Sequence, residues 1–98
     1  MFIARVVGTV VATRKAESLV GHKFLLLRQV NGEGKDTANY VVATDAVGAG
    51  EGDVVLYASG SSARQTQITH EKPCDAVVMA IIDSWEVGPK RIYDKSKA

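Results

Sequence analysis

The sequence predicts an all-β fold with one short helix, and three observations carry that reading. Val, Ile and Thr crowd the runs FIARVVGTVVATR, YVVATD, DVVLYA and DAVVMAIID, none of which shows a 3.6-residue apolar stripe. Gly, Asn, Ser or Pro lies between the runs, as turns between strands require. Only residues 60–66, GSSARQT, combine a serine able to cap with better helix formers. Five strands, short connections and one small helix before the last strand describe a small five-stranded barrel of OB type.

Taken in order, residues 2–14 form a long strand in which Gly8 marks a bend or bulge. Residues 18–21 turn the chain. Residues 22–30 make the second strand despite their leucines, because the run is short and bounded by turns. The stretch NGEGKDTAN, residues 31–39, is polar and glycine-rich and predicts a mobile hairpin loop. Residues 40–45 form the third strand and 54–58 the fourth. Between them, Gly48, Gly50 and Gly52 suggest a turn and not a phosphate cradle. A cradle opens onto a helix N-terminus, whereas here a β-branched run follows and no Gly-Lys-Ser/Thr ending is present. Glu71-Lys72-Pro73 stops the helix of 60–66, and residues 75–83 form the last long strand. Gly88-Pro89 ends it, since proline cannot donate to a ladder. Residues 1–88 are thus a single barrel domain. Residues 89–98 are a C-terminal tail, at a subunit interface or disordered, in which only Ile92 and Tyr93 are apolar.

A chain of 98 residues allows one domain with a modest core. Twelve basic against eleven acidic residues leave a net charge of +1, which gives no electrostatic reason to expect nucleic acid or a membrane surface as partner. A single cysteine, Cys74, excludes an internal disulfide framework and points to a reducing, cytoplasmic setting. No basic leader precedes an apolar stretch, and no apolar run is long enough to cross a bilayer as a helix.

The runs 77–82 and 54–56 are apolar on both faces, although a strand with one wet face alternates. A barrel this small has one interior, so the outward apolar residues need a second surface, and an oligomer supplies it.

Candidate chemistry is thin. Ser61 or Ser62 with His70 and Asp75 supplies the residue types of a nucleophilic triad, but the local sequence G-S-S-A-R is not a nucleophile elbow, and capping explains the serines. His22, His70 and Cys74 are too few and too widely spaced for zinc. Asp45, Glu51 and Asp53 lack the spacing of a calcium loop and read as solvated turn carboxylates. Arg5, Arg14, Lys15, Lys23 and Arg28 could form the basic face with which OB barrels hold single strands. The six aromatic residues, however, are scattered and not grouped as a stacking platform. No metal and no cofactor are expected.

Three segments carry a family resemblance: ARVVGTVVATRKAESLVGHKFLLLRQV at the start, ATDAVGAGEGDVVLYASGSSAR in the centre and KPCDAVVMAIIDSWEV near the end. They resemble the vertex proteins of bacterial microcompartments, the EutN/CcmL family, over nearly the whole chain. The most specific parts are V-G-x-V-V-A-T-x-K, D-x-V-G-A-G-x-G-D and G-S-S-A-R ahead of D-A-V-V. The resemblance implies an OB-like barrel in a homopentameric ring, set at the corners of a cytoplasmic protein shell among hexameric shell proteins. It implies a structural part and no enzyme, bound to neither nucleic acid nor membrane. On this reading Gly48, Gly50, Gly52, Ser61, Ser62, Arg64, Ile92 and Tyr93 lie at a subunit interface or the five-fold axis.

Overall fold

The computed structural model of the chain describes residues 1–12, 23–60 and 76–97. Five strands close into a barrel: β1 (Phe2–Val10), β2 (Phe24–Val30), β3 (Asp36–Asp45), β4 (Val54–Ser59) and β5 (Ala76–Ile81). Their order around the barrel is β1-β2-β3-β5-β4, with β1 also paired to β4. Among the described residues every ladder is antiparallel except β3–β5, a short parallel link between Thr44-Asp45 and Val77-Val78. A sheet closed on itself leaves few edges, and its period-2 alternation sends one set of side chains inward. Ala4, Val6, Leu25, Leu27, Ala43, Val55, Tyr57 and Val78 form that interior. The ladder between β1 and β2 shifts register between Val6 and Gly8, where the sequence places a bend or bulge.

Outward residues of β4 and β5 are partly covered within the chain, since Ala58 and Val77 form a second small buried cluster with Met79 packed against it. The helix expected over 60–66 falls largely outside the described residues.

Two expectations need correction. The hairpin loop is shorter than 31–39, because β3 already begins at Asp36. Polar residues there look like loop but belong to strand: the Thr37 hydroxyl donates to the Gln29 carbonyl at 2.9 Å, and the Asn39 amide to Gln29 Oε1 at 3.0 Å. The register shifts between Arg28 and Val30, which pair with Tyr40 and Asp36, so residues 37–39 bulge opposite Gln29 within an extended strand and can carry polar side chains. The last barrel strand ends at Ile81, and Gly88-Pro89 does not terminate it. Instead the two residues join an additional hairpin, β6 (Ser84–Val87) and β7 (Lys90–Asp94), which forms its own two-stranded sheet. Gly88 has φ +57°, a conformation glycine adopts without Cβ strain, and a proline in a turn forfeits no ladder bond. A 3-10 turn, Lys95–Lys97, follows.

The β6–β7 hairpin rests on the turn between β2 and β3, and the two together form an arm. In that turn the Asn31 side-chain oxygen accepts the N–H groups of Glu33 and Lys35 at 2.9 and 3.1 Å, an Asx-type closure.

Candidate functional site

The glycine turn before β4 is organised by carboxylates. Asp45, at the end of β3, is buried, and its Oδ1 accepts the backbone N–H groups of Val47, Gly48 and Ala49 at 3.1, 3.1 and 3.2 Å. Lys23 Nζ lies 3.7 Å from Asp45 Oδ2 and donates to the Ala49 carbonyl at 3.0 Å. Asp53 closes the other end: its Oδ2 accepts the Gly50 N–H at 2.9 Å, and Lys95 Nζ sits 3.6 Å from its Oδ1. Two backbone bonds between Val6 and the pair Gly52-Asp53 then fasten the turn to β1. Gly48 and Gly52 have φ of +78° and +93°, where L side chains are strained, while a Cβ at either would meet nothing within 4 Å. Within the chain, these two glycines serve backbone conformation and not close approach. The N–H groups that would cradle a phosphate are already held by Asp45 and Asp53, so the turn carries its own anions. Asp45 is therefore no solvated turn carboxylate, as its residue type alone suggests, but the piece that fixes the turn.

Ser61, Ser62 and Arg64 lie outside the described residues, as do His22, His70, Cys74, Asp75, Arg14 and Lys15. Ile92 and Tyr93 are described. Tyr93 stacks on Trp85 with ring centroids 5.3 Å apart, and Trp85 Nε1 donates to the Gly32 carbonyl at 2.9 Å. Gly34 has φ +82°, and a Cβ built there would come within 2.9 Å of Ile92 Cγ2. The two apolar residues of the tail thus find cover in their own chain. Beside them Arg91 bridges Glu86 at 2.8 Å and Asp94 at 3.1 Å, and these carboxylates hold its pKa above the usual guanidinium value. Asp94 is held below the ordinary carboxylate value, first by the Ser96 hydroxyl and N–H and then by Arg91. Two hollows lie on the arm, one of about 360 Å³ lined by Arg91, Ile92, Tyr93, Asp94 and Lys97, the other of about 320 Å³ beside Glu33, Lys35 and Lys90. Among the described residues no three His, Cys, Asp or Glu side chains cluster as metal ligands.

Arg5, Lys23 and Arg28, three basic residues on or next to the barrel strands, each have a local partner. Arg5 Nε is 3.4 Å from Asp36 Oδ1, and Lys23 serves the glycine turn. Arg28 Nε donates to the Thr37 carbonyl at 2.8 Å, and its guanidinium lies 5.4 Å from the Tyr40 ring centroid. Four of the six aromatic rings are paired with one another, Phe2 with Tyr57 and Trp85 with Tyr93, and do not line a row as a base-stacking platform would. Burial pushes the Tyr57 hydroxyl pKa up.

Sequence reasoning missed the outer face of β2–β3. Leu25, Leu27, Val41 and Ala43 pack into or against the core, so their alternates Leu26, Arg28, Tyr40 and Val42 point outward. Tyr40 is 55% exposed and Val42 50%. The signal was present as a large aromatic and a valine at i, i+2 on a strand.

A family described as "Ethanolamine utilisation protein EutN/carboxysome" matches residues 1–83. The chain belongs to the EutN/CcmL family. Among its relatives, the carboxysome shell vertex protein CcmL of Nostoc sp. is 49% identical over 96 residues, covering 97% of this chain and 95% of that protein. The microcompartment shell vertex protein PduN of Salmonella typhimurium is 43% identical over 88 residues, covering 86% of this chain and 97% of the relative. In structure, CcmL of Gloeobacter violaceus superposes with a TM-score of 0.94 at 46% identity, over 98% of this chain and 99% of that one. The Rhodospirillum rubrum protein GrpN, described as a pentameric microcompartment shell protein, does so at 0.82 with 40% identity, over 89% and 99%.

Proposed function

We propose that five copies of this chain form a ring that caps a vertex of a bacterial microcompartment shell. The observation that carries this is nearly full-length similarity, in sequence and in fold, to EutN/CcmL proteins named as shell vertex proteins. GrpN, which shares the barrel, is pentameric. A sheet of six-sided tiles cannot close without five-sided corners, and a ring is held by heterologous contacts in which one patch meets a different patch on the next copy. A closed barrel whose glycine turn is fixed by Asp45 and Asp53 suits such a unit.

The ring sits in a cytoplasmic shell beside hexameric tiles, performs no catalysis, and binds neither nucleic acid nor membrane. Gly48, Gly50 and Gly52 shape one contact loop, and Ser61, Ser62 and Arg64 supply contact or axis-lining groups. The tail contributes from the exposed side of its hairpin, since Ile92 and Tyr93 are engaged on the other. Native mass spectrometry at micromolar concentration is expected to give a single species of five chains without free monomer. A stable monomer, or one that gains affinity for single-stranded DNA as salt is lowered, overturns the reading.

A further inference from the structure

We infer that the outer face of β2–β3 is one of the two ring contacts, receiving the next copy of this chain with Tyr40 and Val42 as apolar anchors and Arg28 and Arg5 turned to its carboxylates. The inference rests on the ring reading above and specifies the surface that reading needs.

Four observations support it. First, Tyr40 and Val42 are among the most exposed large apolar residues on the barrel, and they are neighbours two apart on one strand. Opposite them in the ladder lie Arg28 and Leu26, giving one continuous patch of aromatic, aliphatic and guanidinium groups. Tyr and Arg are the residues that most often anchor interfaces. Second, Arg5 and Arg28 are direct cross-strand partners, a like-charge pairing that is unfavourable unless anions compensate it. Their Nε atoms end on adjacent residues, Asp36 and Thr37, so both forks lean toward the start of β3. Their Nη groups make no hydrogen bond among the described residues, which leaves the bidentate edge of each guanidinium free for a carboxylate.

Third, β3 pairs with β5 only at Thr44 and Asp45. Residues 36–43 therefore run beside β2 with no described strand on their other side, an edge that soluble proteins cover or blunt. Fourth, the complementary groups are present on the same chain, as a second copy requires. The carboxylates of Glu33, Glu51 and Asp83 have no partner among the described residues, and Leu56 and Met79, half-buried and outward on β4–β5, offer apolar area on a different strand pair. With a net charge of +1, copies of the chain meet without long-range repulsion.

The test compares ring dissociation on dilution, by sedimentation or native mass, for the full-length chain and for Tyr40→Ala, Val42→Asp and Arg28→Glu. Far-ultraviolet circular dichroism and Trp85 fluorescence check that each remains folded. Each variant is expected to dissociate into folded monomers at concentrations about tenfold or more above those at which the native ring does. Arg28→Glu is expected to regain ring stability when combined with charge reversal to Lys at one of Glu33, Glu51 or Asp83. Folded variants whose rings persist like the native one overturn the inference and leave the vertex reading intact. Intact variant rings that no longer join hexameric tiles assign the face to a tile and overturn it too. A native chain that never forms a ring overturns the vertex reading and this inference with it.

Discussion

In the barrel, Leu25, Leu27, Val55 and Val78 are wholly shielded from solvent, and five strands share one apolar interior. In the β6–β7 hairpin no residue reaches that degree of burial. It is held by a stacked Trp85–Tyr93 pair, one indole hydrogen bond, a close fit of Gly34 to Ile92, and exposed ion pairs around Arg91. The barrel thus draws on area removed from water, which adds up with size and is indifferent to pH, whereas the arm draws on a few directional contacts. A two-stranded hairpin is marginal by itself, so β6–β7 persists because the turn between β2 and β3 gives it something to rest on.

The difference can be tested by perturbing each region and asking whether the other responds. The largest effect is expected from Leu27→Ala, which opens a cavity inside the barrel and should cost about 2–5 kcal/mol in chemical denaturation. That loss should unfold barrel and arm together, because the arm has no core of its own. Next comes Gly34→Ala, which places a Cβ at φ +82° and within 2.9 Å of Ile92 Cγ2, costing about 1–3 kcal/mol of local strain. The expected outcome is a shifted Trp85 emission and faster amide exchange in β6–β7, with exchange in β4 and β5 unchanged. Adding Ile92→Ala should relieve the contact but not the backbone strain, so recovery should be partial. Exchange that accelerates equally in both regions would show that arm and barrel are one cooperative unit.

Acid gives the smallest effect and the sharpest separation. Asp94 ordinarily titrates near 3.8 and is held lower by Ser96 and Arg91. A depressed carboxylate contributes its stabilisation in full above the ordinary value and loses it as pH falls through the lower folded one. The arm should therefore loosen below about pH 3.8, read by Trp85 fluorescence, before the barrel signal changes. Because these groups are exposed, raising salt should blunt the transition.

The barrel could be read from the sequence because each strand announces itself locally. β-branched residues at period 2, glycine-rich turns and the irregularity at Gly8 are properties of a few consecutive residues. The hairpin at the end carried signals of the same kind: Ser84-Trp85-Glu86-Val87 alternates in polarity, and Gly88-Pro89 is a turn pair. Reading proline as the end of the last barrel strand hid them. Residues 36–39 were hidden for the opposite reason, since their polarity reports an exposed hairpin and not an absence of strand. Asp45 shows a third kind of limit, because nothing adjacent to a carboxylate in sequence tells whether water or three backbone N–H groups surround it.

By itself, the sequence determined the β class, the number of barrel strands and the three motifs that mark the EutN/CcmL family, all of which reside in short windows of chain. Only the tertiary structure decided what those windows meet. The indole of Trp85 finds the carbonyl of Gly32 across 53 positions, and Ile92 reaches Gly34 across a similar span. It also decided that Tyr40 and Val42 face out while Val41 and Ala43 face in. On a strand apolar at consecutive positions, the alternation fixes two faces but not which is buried, and only closure of the barrel chooses between them.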